Sequence, residues 1–591
     1  MTQPPPPPPN HPPGSPPGQP PQGGFGAPTP PPNPGYGYPQ APGQAPGYGY
    51  PQAPGQPPGY GYPQAPGQAP GQVPGQQPYG YGYPTAPVHQ QPPGQPPLPP
   101  PGGRKPSTQL RIIIAAAVAV ALIIAGGIWY AGTSGDDGGK GDEAKGATAG
   151  ATAGGGGGGG GGTAPDGPGK EKAPANTRSK VAFQMPHPKV ADVTTVAGSW
   201  ITDKAYVKSG IDSVVGYDLD KGTPLWTLPL PGQVCAASRH VQDNKTAIAF
   251  EATKRVAPKY YQPCTEVGVI DLTTGKLLWS KSAAGTGNGP KIRFSEVTVG
   301  AGAVAAGGTD GGGAWDLATG KELWKPQINA EQCYDMGYGG GAALVAARKC
   351  GPRDQQYVLI QNLDPKTGRP LAQFKMPDGV EYASVVSTKP LVVAADVGDT
   401  AGDGSGISDL FSLDEKTGKL KAKIAVDAER FAGDCDSTLV EACSKVVVGN
   451  GRVYLPTEDH EGAGEGYGQT NEIVSFDLTT GKPTSDKAEA GDRYSMFPLR
   501  MDGGNIIAYK EPPYDKGGQI VSIDGSTFKQ TVLLENPADE AVRDAESSFS
   551  LDHAEIRYTA GRLFISERMI SEPSSSSVDD KQYFVLAYTT H

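Results

Sequence analysis

The sequence predicts an all-β fold, an eight-bladed β-propeller, preceded by a single transmembrane helix and a disordered Pro/Gly-rich tail. Three observations support this prediction: a motif that recurs about every 50 residues after residue 180, a hairpin-like pattern in each copy, and one long apolar run without charge. Glycine and proline supply 86 and 63 of the 591 residues, a fraction close to that of low-complexity chains. This composition excludes one compact domain over the full length.

Residues 1–109 form a predicted disordered tail rich in Pro, Gly, Gln and Tyr. No Asp, Glu, Lys or Arg precedes Arg104, and a twelve-residue repeat places Tyr36, Tyr48 and Tyr60 at equivalent positions. Such a chain cannot bury enough apolar surface to offset its ordering entropy. We interpret the tail as a solvated spacer, and its proline runs leave open a partner that binds proline motifs.

Residues 110–131 contain a predicted transmembrane helix, because nineteen consecutive residues from Ile112 to Tyr130 carry no charge. At about 1.5 Å per residue the run is roughly 28 Å long, close to the thickness of a hydrocarbon core. The flanking charges are basic before the run and acidic after it, and are Arg104, Lys105, Arg111, Asp136 and Asp137. The positive-inside rule therefore predicts a single-pass protein of the cell membrane, with a cytoplasmic N terminus and an extracellular C-terminal propeller.

Residues 132–179 have the composition of a flexible coil and include nine consecutive glycines, Gly154 to Gly162. We predict a flexible Gly-rich tether that separates the span from a folded domain at residues 180–591. The chain carries a net charge of −10. Because phosphate binding needs clustered Lys and Arg, this charge argues against nucleic acid as a partner.

The folded domain is built of copies of one motif. Each copy has an apolar residue followed by Asp, then a short turn with Thr and Gly, as in Ile270 to Trp279 (IDLTTGKLLW). The aligned aspartates lie 53, 45, 48, 50, 63 and 47 residues apart, close to the length of a four-stranded propeller blade. These aspartates are Asp218, Asp271, Asp316, Asp364, Asp414, Asp477 and Asp524.

Each copy fits a β-hairpin. The first strand ends at the Asp, and a glycine such as Gly275 or Gly320 is free to adopt the positive φ of a tight turn. The tryptophans of the first three copies, Trp226, Trp279 and Trp324, are then expected to pack against the adjoining blade. The 412 residues of the domain give about 52 per blade for eight blades, and seven blades remain the alternative.

The two ends of the domain are predicted to meet. Residues 562–568 and 583–591 look like the middle strands of a last blade that lacks its outer strand, and residues 180–190 resemble residues 371–380, which leave the fourth copy. We therefore predict that residues 181–185 supply the outer strand of the last blade and close the ring. Closure removes exposed sheet edges.

The repeat resembles the tryptophan-docking motif of PQQ-type, or quinoprotein-like, β-propellers. The resemblance covers about 400 residues and is most specific in the first three copies, because Ala372, Ala422, Ser485 and Val532 later replace the Trp and Phe528 replaces the Gly. The whole layout resembles membrane-anchored actinobacterial propeller proteins with a proline-rich N-terminal tail. The resemblance implies either a quinone-dependent dehydrogenase or an interaction platform without quinone, like the outer-membrane assembly lipoprotein and kinase sensor domains.

All six cysteines lie in the repeat region, in the part predicted to be extracellular. An even number in an oxidising compartment favours structural disulfides, with reduced buried pairs as the alternative. Metal binding is disfavoured because neither a C-x-x-C motif nor an accompanying His pair occurs. The nearest-neighbour pairs fall in the second, fourth and sixth copies, and are Cys235 with Cys264, Cys333 with Cys350, and Cys435 with Cys443.

The sequence contains no recognisable catalytic motif. The resemblance implies that a quinone-dependent dehydrogenase needs adjacent cysteines above the cofactor and a calcium site, and no two cysteines are adjacent here. His240, His460 and His553 lie far apart and are interpreted as structural or solvated. Two acidic stretches leave calcium possible but fit solvated loops, and contain Asp396, Asp399, Asp403, Asp409, Glu458, Asp459, Glu461 and Glu465.

These observations favour a non-enzymatic protein with no cofactor, no metal site and no PQQ. Our leading hypothesis is an extracytoplasmic binding or scaffold propeller that engages a protein or cell-envelope ligand through loops at one face of the ring. One alternative is a quinone-dependent oxidoreductase that uses the central funnel. The other is a ligand sensor that signals to the cytoplasmic tail.

Overall fold

The computed structural model describes residues 169–591, apart from residues 258–260, 286–288, 326–330, 399, 402–406, 437, 463–467 and 573–580. The predicted tail, the predicted transmembrane helix and most of the predicted tether lie outside the described residues. Within the described part of the chain, no helix is both long and apolar enough to span a membrane. The described residues form eight four-stranded antiparallel sheets. The predicted eight-bladed propeller is therefore confirmed, and the alternative of seven blades is wrong.

The first four blades follow each other along the chain after β1 (Lys180–Pro186) and β2 (Thr194–Thr195). Blade 1 contains β3 (Ser199–Ile201), β4 (Ala205–Gly210), β5 (Ser213–Asp218) and β6 (Pro224–Pro229). Blade 2 contains β7 (Val234–Ala237), β8 (Lys245–Glu251), β9 (Cys264–Asp271) and β10 (Lys276–Lys281). Blade 3 contains β11 (Glu296–Gly300), β12 (Ala303–Gly307), β13 (Gly313–Asp316) and β14 (Glu322–Trp324). Blade 4 contains β15 (Tyr334–Gly339), β16 (Leu344–Cys350), a 3₁₀ turn (Arg353–Gln355), β17 (Tyr357–Leu363) and β18 (Pro370–Lys375).

The remaining blades carry the insertions. Blade 5 contains β19 (Ser384–Thr388), β20 (Leu391–Ala395), β21 (Asp409–Leu413) and β22 (Leu420–Ala425), and is followed by a hairpin of β23 (Asp434–Cys435) and β24 (Cys443–Ser444). Blade 6 contains β25 (Val447–Gly449), β26 (Arg452–Pro456), a hairpin of β27 (His460–Glu461) and β28 (Gln469–Thr470), β29 (Glu472–Asp477) and β30 (Ala488–Glu489). Blade 7 contains β31 (Ser495–Asp502), β32 (Asn505–Glu511), β33 (Gln519–Asp524) and β34 (Gln530–Glu535), followed by helix α1 (Glu540–Ser547). Blade 8 contains β35 (Ala554–Thr559), β36 (Arg562–Glu567), β38 (Tyr583–Thr589) and β1, while β37 (Met569–Ile570) pairs with β2.

The ring has two different faces. On one face, which we call the turn face, the first strand of each blade passes to the second and the third passes to the fourth. On the opposite face, which we call the loop face, the second strand passes to the third and each blade passes to the next. The inner strands are apolar and packed on both sides by neighbouring blades, so that β20, for example, is buried along its whole length. Outer strands such as β10 alternate between half-buried and exposed residues, since one side meets solvent.

The recurring Asp builds the turn between the third and fourth strands. The side chain of Asp271, for example, accepts hydrogen bonds of 2.9 Å from the backbone N–H groups of Thr273 and Thr274, and its carbonyl accepts the N–H of Gly275. Gly275 has φ of 67°, which a side chain rarely adopts. The side chain also accepts backbone N–H groups of its turn at Asp218, Asp316, Asp364, Asp414, Asp477 and Asp524. In the Asp524 turn the glycine position is occupied by Phe528, which has φ of 55°.

Each tryptophan of the motif lies against the turn glycine of the following blade. Trp226 covers Gly275, Trp279 covers Gly320, and Trp324 covers Gly368 in the same way. A Cβ atom at any of these glycines would overlap the indole ring. The glycine is therefore required twice, by its backbone conformation and by the close approach of the ring.

The N-terminal strand closes the ring, which confirms the predicted role of residues 181–185. β1 pairs antiparallel with β38, with Val181 opposite Tyr588 and Met185 opposite Val585. A bulge separates Val181 from Phe183, as a bulge separates Leu277 from Trp279 in blade 2. Closure therefore uses the same outer-strand geometry as the other blades.

Part of the segment predicted as flexible tether lies on the propeller. The described residues 169–179 run along blades 7 and 8, where the Glu171 carboxylate lies 2.6 Å from Nη2 of Arg500 and accepts a 2.9 Å hydrogen bond from the N–H of Ala560. Farther on, Ser179 and Glu535 form a 2.8 Å backbone hydrogen bond. The folded domain therefore begins before residue 180. The composition of the segment did not indicate this, because the contacts depend on single side chains.

Candidate functional site

A cavity of about 580 Å³ lies at the centre of the ring, close to the loop face. Its walls come from the first strands of blades 1, 2, 3, 7 and 8, and from the hairpin that follows blade 5. First strands begin at the loop face, so residues near their starts, such as Ser199 and Glu296, border this opening. The lining contains no tryptophan, since the motif tryptophans lie between blades.

The hairpin of β23 and β24 fills part of the central channel, and we call residues 434–444 the plug. Its ends are joined by the disulfide of Cys435 and Cys443. The plug carbonyl of Val440 accepts a 2.6 Å hydrogen bond from the N–H of Val385, and the Val440 side chain is buried among apolar residues of blades 4 and 5. This disulfide therefore lies in the connection between blades 5 and 6, whereas the repeat alignment placed it within the sixth copy.

Glu296 holds the tip of the plug from blade 3. Its carboxylate accepts hydrogen bonds from the backbone N–H of Val440 at 2.9 Å and of Glu441 at 3.1 Å. Burial raises the pKa of Glu296 to about 8, and the two N–H groups offset part of this effect. The site thus contains a carboxyl group that changes charge near neutral pH.

Glu441 fastens the plug to blades 2 and 4. Its Oε1 atom accepts a 2.7 Å hydrogen bond from the N–H of Gly340 and lies 2.7 Å from Nε2 of His240. Burial alone would raise the pKa of Glu441, but His240 and then Arg239 outweigh burial and hold this pKa below its ordinary value. Glu441 is thus a buried carboxylate that is stabilised by the N–H of Gly340 and by the charges of His240 and Arg239.

A second buried pair links blades 1 and 8 beside the cavity. Nζ of Lys208, whose side chain is fully buried, lies 3.0 Å from Oε2 of Glu555. The other oxygen of Glu555 accepts a 2.8 Å hydrogen bond from the N–H of Gly198. Burial opposes the ionised form of Glu555, but Lys208, followed by Arg557 and Arg568, outweighs it and lowers the pKa of Glu555.

Three arginines line the same cavity: Arg239 from blade 2, and Arg557 and Arg568 from blade 8. Burial lowers the pKa of Arg239, Glu441 counteracts this, and Arg557 and Arg568 lower the pKa further. The same lining contains Asp434 and Asp436 of the plug, Lys445 next to the plug, and Asp552 and Glu555 of blade 8. The cavity is therefore polar and carries groups of both charges, and we call Arg239, Arg557 and Arg568 its basic wall.

The six predicted disulfide cysteines form the three predicted pairs. Cys235 and Cys264 join the starts of β7 and β9, and Cys333 and Cys350 join the approach to β15 with the end of β16. All three bonds, including that of the plug, lie at the loop face. The sulfurs of Cys235 and Cys264 are close to Glu251, but they are bonded to each other and therefore do not serve as metal ligands.

The histidines that the sequence singled out lie at three separate places. His240 contacts the plug, His553 lines the cavity, and His460 lies 3.1 Å from Glu472 in blade 6. They do not form a common site.

The acidic stretches do not bring three carboxylates together among the described residues. Asp396 accepts backbone N–H groups of its own loop, Asp409 lies 3.1 Å from Lys423, and Asp459 accepts the Ser495 hydroxyl. Glu458 and Glu461 lie in the described part of the second stretch, and Asp399, Asp403 and Glu465 lie outside the described residues. Calcium therefore gains no ligand set from these stretches in the described part.

The charged residues of the cavity were not identified from the sequence. One signal was present: β35 alternates apolar and charged residues, and so places Glu555 and Arg557 on one side of an inner strand. An inner strand is packed or faces the central channel, so charge at these positions indicates a polar channel. The other charged residues of the cavity, such as Arg239 and Arg568, lie on strands and loops that are far apart in sequence and meet only in the closed ring.

A family model described as outer membrane protein assembly factor BamB matches residues 264–531, somewhat less than half of the chain. Among solved structures, a europium-containing methanol dehydrogenase is 13% identical, with a TM-score of 0.41 over 71% of this chain and 95% of that one. BamB from Moraxella catarrhalis is 13% identical, with a TM-score of 0.33 over 69% of this chain and 99% of that one. A quinohemoprotein alcohol dehydrogenase from Comamonas testosteroni is 12% identical, with a TM-score of 0.37 over 71% and 78%. No curated protein matches the sequence.

Proposed function

We propose that this propeller of PQQ-like repeats is an extracytoplasmic binding platform that holds a protein or cell-envelope ligand at its loop face. The observation that carries the proposal is the concentration of the cavity, the plug and all three disulfides at this one face. Disulfide bonds restrict the conformations of such a surface, which lowers the conformational entropy lost on binding. The name of the matching family model, an assembly factor, supports a protein partner.

The turn face offers much less to a ligand. Its connections are short repeated turns whose polar groups are already bonded within the turn, as at Asp271 and Asp477. The loop face instead carries the inserted hairpins and the polar cavity. Binding sites occur preferentially on such variable loops held by a rigid frame.

The residues present do not fit the quinone site that the dehydrogenases of the resembled family require. The paired cysteines are 29, 17 and 8 residues apart, and no adjacent pair exists. Among the described residues that line the cavity, Phe497 is the one Phe, Tyr or Trp, and no tryptophan is present to cover a planar cofactor. We therefore assign no quinone chemistry to the cavity.

Site-specific photo-crosslinking in intact cells tests the platform. A photoreactive amino acid is placed at His553, which is exposed at the cavity, or at Lys366, which is exposed in a turn of blade 4. We expect a discrete, reproducible adduct from position 553 and none from position 366. Adducts from position 366 alone, or none from either position, would overturn the assignment of the loop face.

We also propose that the uncharged run in residues 110–131 anchors the protein in the membrane with the propeller outside. Protease added to intact cells should then remove the propeller and leave a membrane-bound fragment that carries the tail. If the propeller is cleaved only after the cells are lysed, the proposed orientation is wrong.

A further inference from the structure

The basic wall of the cavity contains arginines without carboxylate partners. Arg239 donates hydrogen bonds of 2.9 Å to the carbonyls of Glu441 and Cys443, and Arg557 donates to the carbonyls of Ser199 and Ile556 at 3.1 and 3.3 Å. The guanidinium of Arg568 has no hydrogen bond or ion pair with any described residue. Backbone carbonyls therefore hold Arg239 and Arg557 in place, and the guanidinium of Arg568 has no partner among the described residues.

Several other arginines of the propeller are neutralised by carboxylates. Arg293 donates to both oxygens of Asp310, and Arg562 donates to both oxygens of Asp220. Arg348 lies 2.6 Å from Asp335 in blade 4. A fork of two hydrogen bonds to a carboxylate is the geometry that guanidinium prefers, and none of the three cavity arginines has it with a described residue. Arg452 and Arg543 also donate only to carbonyls, but neither lines the cavity, so the feature of this wall is that three such arginines line one cavity.

The nearest carboxylates attract these arginines through space but do not form ion pairs with them. Glu555 is bonded to Lys208 and Gly198, and Glu441 to Gly340 and His240. Neither carboxylate forms an ion pair with the three arginines in the described part of the chain. The guanidinium groups are close enough that Arg557 and Arg568 each lower the pKa of Arg239. A bound anion would relieve this repulsion.

We propose that the cavity binds an anionic group of the ligand, a carboxylate or a phosphate, between Arg239, Arg557 and Arg568. The proposal rests on the proposed function, since it names the chemistry recognised at the same face. The volume of about 580 Å³ lies within the range of small-ligand sites, so a whole small molecule or one projecting acidic group fits. Asp434 and Asp436 of the plug, which also line the cavity, favour hydroxyl or cationic groups on the part of the ligand next to them.

Calorimetric titration of the purified full-length chain tests the site, with citrate and pyrophosphate as separate probes and chloride at matched ionic strength as the reference. Saturable binding of either probe supports the anion site. Citrate alone indicates recognition of carboxylates, and pyrophosphate alone indicates recognition of phosphate. If neither probe binds above the chloride reference, the proposal is wrong.

The variants Arg568→Gln and Arg557→Gln locate the binding. The Arg568 side chain is exposed and has no hydrogen bond or ion pair with a described residue. Its backbone carbonyl, which accepts the N–H of Val196, is unchanged in the variant, so the replacement should not disturb folding. We expect at least a tenfold loss of affinity for the bound probe in each variant. The matched control is Arg369→Gln, which removes one exposed charge at the turn face and should leave affinity within about twofold.

Equal losses in all three variants would mean that net charge, not the cavity, controls binding, and would overturn the proposal. Its failure can be separated from failure of the platform function. If the probes do not bind while position 553 still crosslinks, only the anion site is wrong. If the probes bind while position 553 does not crosslink, the anion site stands and the platform function is wrong.

Discussion

Phe183 lies against Gly222 as Trp226 lies against Gly275, so a phenylalanine from the N-terminal strand takes the place of the tryptophan where the ring closes. A Cβ atom on Gly222 would overlap the Phe183 ring, as one on Gly275 would overlap the indole. Phe183 also lies 6.1 Å from the ring of Phe564 in blade 8. The seam between the last and first blades is therefore packed like the others.

Phe183→Ala is expected to lower the free energy of unfolding by about 3 kcal/mol, because it removes a large apolar side chain that packs at the closing seam. Phe183→Trp restores the residue type of the other blades and should keep most of the stability. Chemical denaturation of the two variants and the parent chain provides the measurement. A loss below about 1 kcal/mol in the alanine variant would show that this contact does not hold the seam.

The Lys208 and Glu555 pair predicts a strong effect of removing one charge. Lys208→Met leaves Glu555 buried without its partner, and should cost about 3–5 kcal/mol of unfolding free energy. The double variant Lys208→Met with Glu555→Gln should recover much of this loss. Lys375→Met removes the exposed pair with Asp378 and should cost less than about 1 kcal/mol. Equal losses in the two single variants would contradict the role of burial.

Removing the plug disulfide should loosen the plug. Cys435→Ser with Cys443→Ser opens a short loop, which the loop-entropy relation values at about 2–3 kcal/mol. Hydrogen exchange should show faster exchange of the Glu441 amide, which is bonded to Glu296. The matched control is the double Ser variant of Cys333 and Cys350, where this amide should stay protected. Unchanged protection in both variants would show that the plug is held without its disulfide.

Glu296 predicts a pH dependence of stability. Its pKa is raised from 4.5 to about 8 by burial, so between these values the folded protein holds a proton that the unfolded chain has released. Stability should therefore fall as pH rises from about 5 to 8, by at most about 1.4 kcal/mol per pH unit from this group. Thermal unfolding across this range measures the slope.

The variant Glu296→Gln removes the titrating group while keeping an oxygen that accepts the plug N–H bonds, and should flatten the slope. Glu489→Gln, at an exposed position of blade 6, should leave the slope unchanged. Equal slopes in the parent chain and the Glu296 variant would contradict the assignment of this titration to Glu296.

The repeat made the blades predictable from sequence, because each blade carries its own Asp turn and most carry a turn glycine. The long interval of 63 residues between Asp414 and Asp477 corresponds to the plug and the β27–β28 hairpin. The role of Phe183 was missed, since matching residues 180–190 to residues 371–380 aligned it with Phe374 and not with a tryptophan position. The outer-strand bulge, which sequence does not show, sets the correct alignment.

The cavity could not be predicted in the same way. His240 and Glu441 are 201 residues apart and meet only because the closed ring brings blade 2 near the plug. The pattern of residues along a strand indicates which side of that strand is buried. It does not indicate which strands face each other across the axis of the ring. Apart from the alternation in β35, nothing in the sequence pattern therefore distinguishes the arginines of the basic wall from other arginines of the repeats.

The ion pair between Glu171 and Arg500 determines how a mechanical force on the N-terminal side of the chain reaches the propeller. A pull on the chain from its N-terminal side reaches this ion pair before it reaches Lys180, the first residue of the strand that closes the ring. Without this ion pair, the pull would break the hydrogen bonds between β1 and β38 one after another, starting at Lys180 and Thr589. The contacts of residues 169–179 therefore protect the closing seam, because a pull from the N-terminal side has to break the Glu171 contacts before it acts on β1.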